Sequence, residues 1–231
     1  MKKSKFQIFK GEIVKRCKAQ SACQPEFKRI LSSETFPEII TVLKDNFNWS
    51  CVHNIFDIKL IDSIKDEARK CDLWANETTK TGFLLVSNAT VEAGGNATVE
   101  AGGNATVKAW DNATVEAGGN ATVKAWDNAT VEAGDNATVE AGGNATVKAW
   151  DNATVKAGGN ATVKAWDNAT VEAWDNATVK AGDNATVKAG GNAFVSSWKN
   201  IECKISDHAI FRNTETKEIT INKGRYTVIL K

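Results

Sequence analysis

The chain has 231 residues, with 29 Lys plus Arg against 28 Asp plus Glu. That balance gives no general attraction to nucleic acid or to an anionic membrane, and no apolar run reaches membrane-spanning length. Five cysteines (Cys17, Cys23, Cys51, Cys71 and Cys203), no CxxC pair and only two histidines fit neither a disulfide framework nor a zinc site, so they read as reduced thiols.

The amino terminus, Met1-Lys2-Lys3-Ser4-Lys5-Phe6, is basic but lacks the apolar core of a signal peptide, so the expected location is the cytoplasm. Phe6, Ile8, Phe9, Ile13, Val14 and Cys17 recur at spacings near three and four, which predicts an amphipathic helix. Thr35 is placed to cap a second helix through Pro37, Ile39, Ile40, Val42 and Leu43, with Pro37 in its first turn. Asp57 opens a third, with Leu60, Ile61, Ile64 and Ala68 on one face, and Trp49, Val52, Ile55 and Phe56 are expected to pack between the helices. Residues 1–81 therefore read as a capping or docking module of about three helices. Their first thirty positions hold nine Lys or Arg (Lys2, Lys3, Lys5, Lys10, Lys15, Arg16, Lys18, Lys28, Arg29) against Glu12 and Glu26, and nine minus two is +7. Such a patch can hold phosphates, but no aromatic interleaving or reader motif accompanies it, so a solvated helix face is the preferred reading.

Gly82-Phe83-Leu84-Leu85-Val86-Ser87 is strongly apolar and reads as an opening strand that seals a stack against the helices. From Asn88 to Gly191 the unit Asn-Ala-Thr-Val-Glu/Lys-Ala-Gly/Trp-Gly/Asp then repeats thirteen times without a gap, and a degenerate copy starts at Asn192. A fixed short period marks a fold that stacks identical units. Ala, Val and Ala at positions two, four and six alternate with Thr and Glu or Lys, the period of a strand with one buried face. Gly-Gly, Trp-Asp and Gly-Asp before each Asn are turn residues that tolerate left-handed backbone. Each octad thus reads as about five strand residues and a corner.

Repeat-to-repeat identity is similar at lags of two and three octads, so periodicity leaves the coil size open. Volume decides it: Ala-Val-Ala is too small to fill a triangle but suits two thin sheets in close contact. The expected fold is mainly β, a single parallel β-solenoid of two octapeptides, about 16 residues, per coil, with an α-helical amino-terminal cap. Strand spacing then makes the array about seven rungs and about 34 Å long. The solenoid is assigned to residues 82–199, and residues 200–231 to degenerate repeats and a β cap carrying Ile201, Ile205, Ile210, Phe211, Ile219, Ile221, Tyr226, Val228, Ile229 and Leu230.

Stacking places equivalent residues in columns. Asn96, Asn104, Asn112, Asn120, Asn128, Asn136, Asn144, Asn152, Asn160, Asn168, Asn176 and Asn184 are expected to form structural amide ladders that close a buried corner, each worth about 1–3 kcal/mol. Trp110, Trp126, Trp150, Trp166 and Trp174 share position seven with Gly, so they belong at corners and are the candidate binding residues. Two readings stay open for them: exposed rows that hold a protein partner or sugar rings, or rings lying flat across neighbouring Gly corners. Glu100, Glu116, Glu132, Lys148, Lys164 and Lys180 would line one face, acidic then basic, a pattern compatible with antiparallel self-association as well as with plain solubility. Asp135, Asp151, Asp167 and Asp183 would form a carboxylate column, but the octad lacks the inner Gly of calcium-binding nonapeptides. The Asn-Ala-Thr sequons read as incidental, and Glu or Lys at position five breaks the Thr surface an ice-binding solenoid needs. No nucleophile motif, phosphate loop or metal spacing is present, and His53 and His208 stand in unrelated contexts, so no catalytic residue, cofactor or metal is expected.

The unit Asn-Ala-Thr-Val-Glu/Lys-Ala-Trp-Asp resembles the octapeptide-repeat arrays of uncharacterised bacterial proteins, in which a short helical head precedes the repeats. The resemblance covers residues 88 to about 200 and implies a parallel β-solenoid, with no activity attached. The leading expectation is a non-enzymatic scaffold for a protein partner. Alternatives are a carbohydrate- or surface-binding module of the adhesin or phage-fibre kind using the Trp rows, and a nucleic-acid-associated protein acting through the basic first helix.

Overall fold

A computed structural model describes residues 3–222, apart from the side chain of Asn48. Its amino-terminal part holds six helices among the described residues: α1 (Lys5–Ala19), α2 (Gln24–Ser32), α3 (Phe36–Asp45), α4 (Phe47–Val52), α5 (Ile58–Ser63) and α6 (Lys65–Lys70). Ser4 starts α1 through a capping box with Gln7, and Thr35 starts α3 with Glu38 in the same role. At α5 the Asp57 carboxylate accepts the N–H of Leu60 at 2.8 Å.

Sequence spacing anticipated about three helices, and the difference is physical. The helix opened by Asp57 breaks at Ile64, whose φ is −126°, yet Ile61, Ile64 and Ala68 all stay buried, so the break redirects the chain without withdrawing its apolar face. α2 fully buries only Ile30, which is too little periodicity to announce a helix. In α1 the buried residues are Phe9, Ile13 and Cys17, one stripe at four-residue steps. Ile8 lies about 100° round from Phe9 and is 61% exposed. Val52, expected in the core, is 63% exposed.

Strands begin earlier than the array. β1 (Leu73–Ala75) pairs parallel with β2 (Phe83–Ser87), so the stack starts inside the segment assigned to the helical module. β3 (Thr90–Ala93) and β4 (Thr98–Gly102) follow, and each later octad of the array contributes one four-residue strand at its Thr-Val-Glu/Lys-Ala, such as Thr106–Ala109. Alternate octads enter opposite sheets, one of eleven strands and one of eight. Thr146 pairs with Thr162 and Val147 with Val163, a parallel register in which each coil takes 16 residues, 162 minus 146. Inward Ala and Val side chains are fully buried along the stack, Ala145, Val147 and Ala149 among them. Such small residues let the two sheets meet with no third side.

β2 belongs to two cores. Leu84 and Val86 face the solenoid interior, while Phe83 and Leu85 pack against the helices. Its unbroken apolar sequence is therefore that of a strand buried on both faces. The helices cover the outer side of β1 and β2, and the interior end of the stack meets Trp74 instead. The Trp74 Nε1 donor has no hydrogen-bond partner among the described residues. At the far end Ile219–Ile221 folds back antiparallel on Ile210–Asn213, a reversal that ends parallel propagation on that sheet. The capping role expected of Tyr226, Val228, Ile229 and Leu230 falls outside the described residues.

Candidate functional site

The corners from Gly94–Ala97 to Gly190–Ala193 repeat one backbone device. The N–H of Ala at position two donates to the carbonyl at position seven, as from Ala113 to Trp110 at 3.2 Å, so four residues turn the chain between sheets. Position eight takes a left-handed backbone, with φ of 57° at Asp111 and 56° at Gly95, which is why only Gly and Asp occur there. Backbone bonds between coils run through the corner, Trp110 to Ala93 at 3.1 Å and Asn112 to Gly95 at 2.9 Å. The position-eight N–H falls between these bonds. Where the next coil carries Asp, its carboxylate accepts that N–H, as from Gly95 to Asp111 at 2.9 Å, Gly119 to Asp135 at 2.8 Å and Gly159 to Asp175 at 2.8 Å, except at Asp183, which pairs with Lys199 at 3.1 Å. The Asp column thus serves the backbone: the N–H of Asp135 goes on to Asp151 at 3.2 Å, and that of Asp151 to Asp167 at 3.5 Å.

Asparagine amides bond from coil to coil only in part and on exposed corners; among the described residues no such bond joins Asn136 or Asn152 to a neighbouring Asn, or Asn112 to Asn128. Asn112 reaches Asn96 at 3.5 Å, Asn120 reaches Asn104 at 3.4 Å, and a separate run from Asn128 through Asn144, Asn160 and Asn176 to Asn192 has steps of 3.3–3.5 Å. Asn184 reaches Asn168 at 3.5 Å. The expected buried corner is corrected: these Asn residues are solvent-exposed, because the tight turn closes with backbone groups alone and leaves their amides outside. The bonds are also long for an amide–carbonyl pair.

Tryptophans stand at the two edges of the flattened coil, and Trp110, Trp126, Trp150 and Trp174 lie against a glycine of an adjacent coil. A β-carbon placed on Gly134 would fall 2.5 Å from Trp150 Nε1, and one on Gly94 would collide with the Trp110 ring. Trp110 and Trp150 thus lean toward the preceding coil, whereas Trp126 leans toward the following one, 3.2 Å from a β-carbon on Gly142. Position seven accepts Trp where a neighbouring coil has Gly to receive the ring. Among the described residues no ring contact joins two tryptophans. Trp110, Trp150 and Trp166 are half-buried, while Trp126 and Trp174 keep 41% and 44% of their surface exposed. Trp198, at position seven of the degenerate copy, is 48% exposed and covers Gly182. It belongs to this set, and reading the octad one copy past the perfect array would have found it.

Outer charges follow the register. Glu100, Glu116 and Glu132 are consecutive on one face and meet Lys148 at a 2.6 Å ion pair with Glu132. On the other face Lys108 pairs with Glu92 at 3.3 Å and Lys124 with Glu140 at 3.0 Å. Glu100 lines a cleft of about 440 Å³ with Cys51, Val52 and Phe56. Burial there, with Glu116 beside it, pushes the Glu100 carboxyl up to about 8. Much of the basic first helix is engaged internally. Lys5 meets Glu67 at 2.8 Å, Arg16 joins Glu12 and Asp57 at 3.0 Å each, and Lys10 Nζ donates to the carbonyls of Leu31 and Ser33. Arg29 meets Asp45 at 2.6 Å.

His53 stacks on Trp49 with ring centroids 4.5 Å apart, and His208 stands at a corner near the other end of the stack. The five cysteines are free thiols, and among the described residues no helix is long and apolar enough to cross a membrane. No protein-family model, no curated protein and no solved structure matches the chain.

Proposed function

We propose that this chain is a non-enzymatic scaffold, a stiff rod that presents indole rings to a protein partner. The observation that carries this reading is the partial exposure of Trp126, Trp174 and Trp198 on edges whose backbone is bonded from coil to coil. Aromatic surface held without conformational freedom is what a partner buries at least entropic cost. Glycine already occupies position seven in eight of the thirteen octads, so the rings can be removed without disturbing the frame.

Self-association through the acidic-to-basic face is not part of the proposal. The antiparallel register matching Glu100 with Lys180 of a second copy sets that copy's strand Phe194–Ser197 opposite β2, whose outer side chains already pack on helices. The experiment is affinity capture with the full chain, purification of whatever binds, and titration of that partner against a variant carrying W126G, W174G and W198G. Loss of at least tenfold in affinity, about 1.4 kcal/mol, supports the edge reading. An unchanged dissociation constant overturns it, and capture of polysaccharide instead of protein transfers the edges to the carbohydrate reading.

A further inference from the structure

The helical head contains a cavity that the scaffold role does not use. It measures about 450 Å³, within the range of small-molecule sites. Ile30, Leu43, Ser50 and Ile55, all buried, form its base, and Gln20, Ser21, Cys23 and Glu26 form its mouth. Neither Lys, Arg nor His is among the described residues that line it.

Its mouth is built rather than left over. Beyond the end of α1 the N–H of Ala22 returns to the carbonyl of Cys17 at 3.0 Å and that of Ser21 to Lys18 at 3.3 Å, with Ser21 at φ 51°. This paired closure fixes the lip against α1. On the opposite side Asn46, the cap of α3, is held by Nδ2 donating to the carbonyl of Val42 at 3.0 Å.

Negative groups line that mouth, with Arg29 one turn further along α2 as an opposing charge on Glu26. The carboxyl ends of α1 and α3, at Gln20 and Asn46, both open onto it and carry the negative end of the helix dipole. The amino end of α2 is also there, but Glu26 occupies its first turn. Glu26 accepts a hydrogen bond from the Cys23 thiol, a weak donor that an ammonium group can replace. The Trp49 indole lines the same space, with one ring face stacked on His53.

We propose that this cavity binds a small organic cation with an apolar body, an aryl-alkyl or aliphatic amine. The apolar part occupies the base, and the ammonium sits at the mouth on Glu26. Cys23, exposed at that mouth, reports on occupancy.

The test uses the full chain with phenethylamine, its neutral analogue phenethyl alcohol and the anion hydrocinnamate as probes. Alkylation of Cys23 by iodoacetamide is followed by peptide mass spectrometry, with Cys71 as internal control. Phenethylamine at ten times its dissociation constant is expected to slow Cys23 labelling about tenfold, with hydrocinnamate giving no protection. E26Q changes the intrinsic reactivity of Cys23, so the readout is the rate ratio with and without ligand. In that variant the amine should protect no better than the alcohol. Equal protection by amine and anion, no protection by the amine at millimolar concentration, or an undiminished amine preference in E26Q each overturns the proposal.

Discussion

Glu100 should be a carboxylate that the folded chain tolerates badly. It lies in the cleft beneath α4, beside Glu116, and its carboxyl is pushed up to about 8 from an ordinary value of 4.5. A carboxyl raised by folding keeps its proton where the unfolded chain has lost it. Stability therefore falls as pH rises from 4.5 toward about 8, and the whole penalty applies above that window. The gap corresponds to about 5 kcal/mol at 1.36 kcal/mol per pH unit, a ceiling that solvent at the open side of the cleft reduces to about 2–3 kcal/mol. Glu100→Gln keeps the shape of the protonated side chain and cannot ionise. Urea unfolding followed by circular dichroism should find the variant equal to the parent at pH 4.5 and more stable by about 2–3 kcal/mol at pH 9. A residual slope should remain, since burial and Glu132 also raise Glu116. Parallel pH profiles for the two proteins, or a variant weaker at pH 9, would refute this account of the cleft.

Three further outcomes follow from the corners and the end of the stack. Asn144→Ala, which removes amide contacts of 3.5 Å to Asn128 and 3.4 Å to Asn160 on an exposed corner, should lower unfolding free energy by under about 1 kcal/mol; a loss above about 2 kcal/mol would restore the buried-ladder picture. Asp135→Ala should cost about 1–2 kcal/mol by equilibrium unfolding, because it puts a β-carbon side chain without a polar partner at φ 50° and removes the carboxylate that accepts the N–H of Gly119. Asp135→Asn, which suits the same backbone, should recover most of that loss. Trp74→Phe removes a buried donor that has no partner among the described residues, so thermal unfolding should show it neutral or stabilised by about 1 kcal/mol; strong destabilisation would mean the indole N–H is satisfied.

Local chemistry made the solenoid legible. Strict alternation of Ala-Val-Ala with polar neighbours, and Gly or Asp at the left-handed corner, act within a single octad, so the strand, the turn and the inward face needed no tertiary information. Coil size was readable because two adjoining octads have only enough side-chain volume for a flat sandwich. The caps at Thr35 and Asp57 were likewise local, each bonding an N–H three residues away.

What only the tertiary structure decided involves partners distant in sequence. Whether a position-seven indole is shielded or exposed depends on the residue 16 positions before or after it, which is why Trp110 rests on Gly94 while Trp126 turns toward Gly142. The asparagine amides are exposed because backbone bonds alone close each turn, a matter of corner geometry that composition does not carry. The helices lie against the outer face of β1 and β2 because Phe83 and Leu85 point away from the solenoid core. That choice puts Glu100 in a cleft with residues 41 to 49 positions earlier, Lys59 back to Cys51. Short-range patterning determines what repeats along this chain; contacts between coils, and between head and stack, determine which of the repeated groups face solvent.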